Sequence, residues 1–262
     1  MHKFLHSKPY CSLIGMVHLQ PLPGSPGWTG NMTKLVQAAL QDAKSLINGG
    51  CDAIIVENMG DLPYVKGQVA AETFAAMTIV VEKIVQMGIP TGIQVLAAAN
   101  EQAISMAYVT GAEFIRVEGF AYAHIADEGW IDACAGELLR KRSQLQSKVS
   151  IWADIKKKHS SHSVTTDLSL LDIAQGHRFC GADAVVITGK ETGRATSLKD
   201  VEEAKKCGLP VIVGSGVTAT NAKHLTQHAD GLIVGSWLKI DGNWRNPVDE
   251  SRVKKLSAIL RE

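Results

Sequence analysis

The chain has 262 residues, a formal net charge of +1, and 45% hydrophobic against 20% charged residues. Near-neutral charge excludes a broad field that would draw it to nucleic acid or anionic lipid, and no apolar run approaches the ~18 residues of an integral membrane segment. The length and composition suit one α/β domain over 1–262, large enough to hold a core without disulfides or metals.

The first stretch, MHKFLHSKPYC (1–11), lacks the apolar centre of a secretory signal. The cysteines, Cys11, Cys51, Cys134, Cys180 and Cys207, form no CxxC pair and read as reduced packing thiols. A cytoplasmic protein is expected, or one of an organelle matrix whose transit peptide is absent from this chain. SLIGMVH (12–18) reads as a buried strand ending on His18, followed by a stiff proline-glycine loop, LQPLPGSPGW (19–28), which walls the strand end and offers Trp28 to an aromatic or sugar face. TKLVQAALQDAKSLIN (33–48) is helical. NGGCDAIIVEN (48–58) then states a phrase that recurs: glycine or alanine, an acid, and four or five apolar residues. It returns in TGAEFIRVEG (110–119) and CGADAVVITG (180–189), and more loosely in HADGLIVGS (228–236). MGIPTGIQVL (87–96) and CGLPVIVGSG (207–216) insert a proline.

Gly50, Gly88, Gly111, Gly181 and Gly208 suit the left-handed position that ends a helix, and the apolar run after each suits a strand buried on both faces, as in parallel sheets. Helices are expected between them at 70–86, 198–206 and 217–227. Strand and helix alternate about eight times without a linker, which predicts a single (β/α)8 TIM barrel. An open doubly wound sheet would carry its glycine-rich turn after the first strand, whereas here it comes late.

Active sites of such barrels lie at the C-terminal strand ends, expected near His18, Glu57, Gln94, Glu118, Lys156, Thr188, Gly214 and Gly235. The turns Gly214-Ser215-Gly216 and Gly235-Ser236 follow the seventh and eighth strands, the usual phosphate cradle of the fold, with a helix start after the first of them. Thr188 and Gly189 extend that cradle, while Lys190 and Arg194 are lid cations or solvated charges. Strand parity places His18, Glu57, Gln94, Arg116, Glu118, Asp154 and Lys156 inside the mouth, with Asn58 opposite or in the loop. Asp154 and Lys156 share one face of the fifth strand, so their heads are expected to meet, Asp154 as general acid or base and Lys156 as oxyanion clamp or amine nucleophile. His18 or Glu57 is the opposing partner. The competing structural reading makes Arg116 an ion pair with Glu57 or Asp154, and His18 a satisfied core histidine. His159 and His162 in KKKHSSHS (156–163), and His124, Asp127 and Glu128 in YAHIADEGW (122–130), read as long loops, with Asp127 capping the next helix. No metal and no cofactor is expected. The expected partner is a phosphorylated small molecule, and the chain is expected to form a homo-oligomer.

GMVHLQPLPGSP (15–26), DAIIVENMGDLPY (52–64), WADIKKKHS (152–160), DAVVITGKETG (183–193) and VGSGVTATN (213–221) together resemble the BtpA family over essentially the whole chain. The resemblance implies a ribulose-phosphate-binding barrel. It transfers no catalytic residue, because no well-established reaction comes with the family. It leaves three functions open: an isomerase or lyase on a phosphorylated metabolite, a non-catalytic assembly factor of the photosystem I biogenesis kind from which the family takes its name, and a metal-dependent phosphoester hydrolase.

Overall fold

Side chains along an extended strand alternate between its faces, so a run of apolar residues serves two cores at once. The computed structural model describes Leu5 and residues 10–156, 160–189 and 197–261. Eight such runs close into a parallel barrel: β1 (Ser12–His18), β2 (Ala53–Glu57), β3 (Thr91–Gln94), β4 (Phe114–Val117), β7 (Ser150–Asp154), β9 (Ala184–Ile187), β10 (Val211–Val213) and β11 (Gly231–Val234). Helices α1 (Met32–Gly49), α2 (Ala71–Val85), α3 (Asn100–Thr110), α4 (Ala135–Gln144), α5 (Leu170–Phe179), α6 (Leu198–Lys205), α7 (Ala222–Leu225) and α8 (Glu250–Arg261) complete the expected (β/α)8 order. Each barrel strand ends within two residues of the position read from the sequence. The five helix-ending glycines have φ between 79° and 94°, a left-handed backbone that favours glycine.

The alternation produces two separate apolar clusters. The outer one lies between strands and helices and includes Leu13, Val17, Ile54, Val56, Ile115 and Val117. The inner one fills the barrel with Ile14, Met16, Ile55, Phe114, Trp152, Val186, Ile212 and Ile233. Phe114 and Trp152 stack at its centre, ring centroids 3.8 Å apart and 17° from parallel. Gly92 on β3 makes room for them, since a Cβ there would lie 2.1 Å from the Phe114 ring.

Two features depart from the sequence reading. The seventh-strand helix, expected over 217–227, shrinks to the single turn α7. Asn221 explains this: its Oδ1 accepts from Thr218 N (2.8 Å) and its Nδ2 donates to Gly216 O (2.8 Å), so side-chain bonds replace helical ones. The two segments read as loops at the mouth form a second sheet. β5 (His124–Ala126) and β6 (Gly129–Ile131) make an antiparallel hairpin, and β8 (Ser160–Ser161) pairs with the other edge of β5. Asp127 and Glu128 form the hairpin turn; Asp127 caps no helix, and α4 starts only after Cys134.

Gly92→Val is expected to cost about 3 kcal/mol by overpacking. Phe114→Leu in the same chain should recover part of that loss. Urea unfolding of the two single variants and the double variant checks this, and strictly additive losses would show that ring and Cβ do not compete.

Candidate functional site

The polar residues at the strand ends continue the inner face upward from the apolar layers. His18, Glu57 and Gln94 stand side by side in register on β1, β2 and β3. His18 Nε2 lies 3.5 Å from Glu57 Oε2. Gln94 Nε2 donates to Glu118 Oε1 at 3.4 Å, and the other Glu118 oxygen accepts from Ala98 N at 3.1 Å. Gln94 Oε1 is buried with no hydrogen-bond partner among the described residues.

Across the mouth, Arg116 forms a forked pair with Asp154. Nη2 donates to Oδ1 at 3.0 Å, and Nε lies 3.1–3.2 Å from both carboxylate oxygens. Both residues are buried, as are Glu57 and Glu118. Burial works against the guanidinium charge, but Asp154, then Glu57 and Glu118, outweigh it and hold the Arg116 proton more tightly than usual. The expected ring is therefore present, except at one member. β7 ends at Asp154, so Lys156 lies past the strand and is half-buried. Asp154 is instead engaged by Arg116, because a buried carboxylate needs a fixed cation more than a mobile one. The Lys156 carbonyl accepts from Thr188 Oγ1 at 2.6 Å.

The two glycine turns lie on adjacent strands β10 and β11, and Gly189 N donates to Ser215 Oγ at 3.1 Å, joining the loop after β9 to the first turn. Gly216 has φ 72°. The glycines also have packing reasons. A Cβ on Gly214 would lie 2.6 Å from Val186 Cγ1 and 3.2 Å from Arg116 Nη2, and one on Gly235 would lie 2.8 Å from His18 Cε1. The first turn thus rests on the Arg116 guanidinium and the second on the His18 ring. A one-turn α7 supplies far less dipole than the helix expected there, so any anion at this turn depends on local amides and Arg116. Ser236 opens a 3-10 turn, Ser236–Leu238.

The loop after β1 is the wall expected of it. Leu22 N donates to Asp61 Oδ1 at 2.7 Å, Thr73 Oγ1 donates to Pro23 O at 2.6 Å, and a Cβ on Gly60 would strike the Pro21 backbone. Trp28, however, packs on the outer core. The aromatic beside His18 is Trp244, edge-on at 6.2 Å. Sequence reasoning also passed over Tyr64, whose hydroxyl donates to Met59 O at 2.9 Å; burial, then the charges of Glu57, Asp61 and Glu118, push its pKa up. Its signal was a tyrosine seven residues past a strand-end acid, too loose to use. Asn58 is buried and ties loops together, accepting from Leu96 N (2.7 Å) and donating to Asp61 (3.0 Å). His124 of β5 and His162, just past β8, come together with ring centroids 5.3 Å apart, in a pocket that Asp154 also lines. His159, Lys190 and Arg194 lie outside the described residues. Among the described residues no group of three or more His, Cys, Asp or Glu side chains is placed to hold a metal ion, and no helix is long and apolar enough to cross a membrane.

Arg116→Met should cost about 3–5 kcal/mol by stranding a buried carboxylate. Adding Asp154→Asn should recover much of that, as read by denaturant unfolding. For the thiols, burial pushes Cys11 up to about 12 and Cys134 to about 11. Both should therefore alkylate with iodoacetamide at neutral pH on the order of 100-fold more slowly than an ordinary cysteine, until the protein is unfolded.

The family model described as "BtpA family" matches residues 10–262. An uncharacterised mitochondrial protein of Caenorhabditis elegans is 44% identical over 93% of this chain and 90% of its own length. The photosystem I biogenesis protein BtpA of Synechocystis is 38% identical over 95% of this chain and 88% of its own. Among solved structures, N-(5'-phosphoribosyl)anthranilate isomerase of Pyrococcus furiosus superposes with a TM-score of 0.57 at 13% identity, covering 96% of this chain and 99% of that one, a likeness of fold.

Proposed function

The chain belongs to the BtpA family, and we propose that it is an enzyme that binds a small phosphorylated metabolite at the barrel mouth and carries out acid–base chemistry of the isomerase or lyase type. The observation that carries this reading is the contact between the two halves of the mouth: the Gly214–Gly216 turn rests on the same Arg116 that closes the carboxylate ring. A phosphate on the amides of Ser215, Gly216 and Ser236 then has a fixed cation beneath it and the ring of proton donors and acceptors beside it. Thr188 and Gly189 support that turn from the side.

In this reading His18 and Glu57 exchange the proton, because they approach to 3.5 Å and neither is engaged by Arg116's fork. Asp154, held in that fork, fixes the cation across the mouth. Gln94 presents its buried acceptor oxygen to a ligand hydroxyl, with Glu118 holding its amide. Lys156, past the strand end, reaches over the ligand as the oxyanion clamp. The likeness to an isomerase whose name carries a phosphoribosyl group supports the substrate class by analogy of fold. A cytosol-like compartment or an organelle matrix fits this chemistry, the latter in keeping with the mitochondrial relative.

A second reading, a non-catalytic partner in assembly, is favoured by one observation. Phe179 is 93% exposed beside a groove lined by Phe120, Tyr122 and Cys180. The same patch suits self-association into a homo-oligomer.

A thermal-shift panel of sugar phosphates, nucleotides and inorganic phosphate separates the readings. Gly216→Asp should abolish stabilisation by every phosphorylated hit, and an unchanged shift would remove the phosphate site. On any substrate so found, His18→Asn and Lys156→Met should each lower kcat by roughly 100-fold with little loss of binding. Normal turnover in both variants would sink the assignment.

A further inference from the structure

A second concavity opens from the mouth. It has a volume of about 480 Å³ and lies between the β1 loop, α1 and the segment after β11. Pro21, Leu35, Ala38, Trp244 and Pro247 form its apolar walls, and His18 is the one member of the mouth ring that also lines it. The only carboxylate in its lining, Asp42, is already occupied: Lys239 Nζ donates to one oxygen at 2.5 Å and Val248 N to the other at 2.8 Å. Lys239 is 1% exposed, and burial lowers its pKa against the pull of Asp42. The pair fastens the segment after β11 to α1, so this wall is built before any ligand arrives. The opposite wall is the loop anchored by Leu22 N on Asp61. Gln20, Gln41 and Asn246 add polar points to the lining, and Arg245, also in the lining, stacks its guanidinium on the Trp244 ring at 4.2 Å.

A preformed cavity of a few hundred Å³, mostly apolar with few polar points, is the usual form of a small-molecule site. Its chemistry differs from that of the mouth. The mouth offers buried carboxylates and amides, whereas this cavity offers aliphatic walls and an indole with Arg245 stacked on it, its carboxylate paired with Lys239. We propose that the cavity receives an aromatic or heteroaromatic ring, and that the substrate carries such a ring on the side away from its phosphate. His18, whose Nε2 faces Glu57 and whose ring meets Trp244 edge-on, marks the junction of the two compartments. The substrate-class statement rests on the phosphate reading above; the occupancy of the cavity does not.

Calorimetric titration of the full chain with 1-naphthyl phosphate, inorganic phosphate and 1-naphthol separates the two. Naphthyl phosphate is expected to bind at least 10-fold more tightly than inorganic phosphate. Ala38→Trp, which fills the cavity from the half-buried face of α1, should remove that advantage and leave inorganic phosphate binding unchanged. Trp244→Ala, on a loop outside the barrel, should weaken naphthol several-fold and serves if Ala38→Trp fails to fold. Equal affinities for naphthyl phosphate and inorganic phosphate in the unmodified protein, or naphthol binding indifferent to both substitutions, would overturn the cavity. Naphthol binding that responds to them in a protein that ignores inorganic phosphate would support the cavity while removing the phosphate site.

Discussion

A single buried guanidinium decides how the mouth of this barrel is built. Asp154, Glu57 and Glu118 are 5%, 6% and 4% exposed, and all three act on Arg116. Carboxylates withdrawn from water beside one another repel, and each needs a cation or donors. Arg116 answers Asp154 with a planar fork that a lysine cannot imitate. On the same strand face two residues below lies Phe114, stacked on Trp152, and above it Gly214, where a Cβ would crowd Arg116 Nη2 at 3.2 Å and Val186 at 2.6 Å. The glycine turn, the strand parity and the stacked rings are thus parts of one packing problem.

That problem explains why glycines at the mouth can be read two ways. Gly216 needs its left-handed backbone. Gly214 and Gly235 do not have positive φ; they are small because Val186, Arg116 and His18 need the space. A turn that lets a ligand approach and a turn that lets a buried side chain approach look the same in a sequence. Here the side chains involved belong to the mouth itself, so the two demands reinforce each other.

Much of this was legible in the residues. Period-two alternation put Ile14, Met16 and His18 on one face and Leu13 and Val17 on the other, and the same rule sorted Glu57, Gln94, Arg116 and Asp154 correctly. Left-handed glycines marked where helices stop. Parity assigns no face to Lys156, because it has no meaning beyond the last ladder hydrogen bond, made at Ile155. The small sheet was invisible because β5 and β8 are three and two residues long and come from segments far apart in sequence. Trp28 left its expected place for a similar reason: the indole that meets His18 is Trp244, carried there by the segment after β11, which the distant Asp42–Lys239 pair fastens to α1.

The pairing of β5 with β8 binds together the insertions that follow β4 and β7. In most barrels of this kind each loop is free to lengthen, shorten or be replaced on its own, and this independence lets the fold acquire new chemistries. Here a change of length in either insertion would shift the register of the other, because backbone bonds join them. The two must therefore be inherited as a unit.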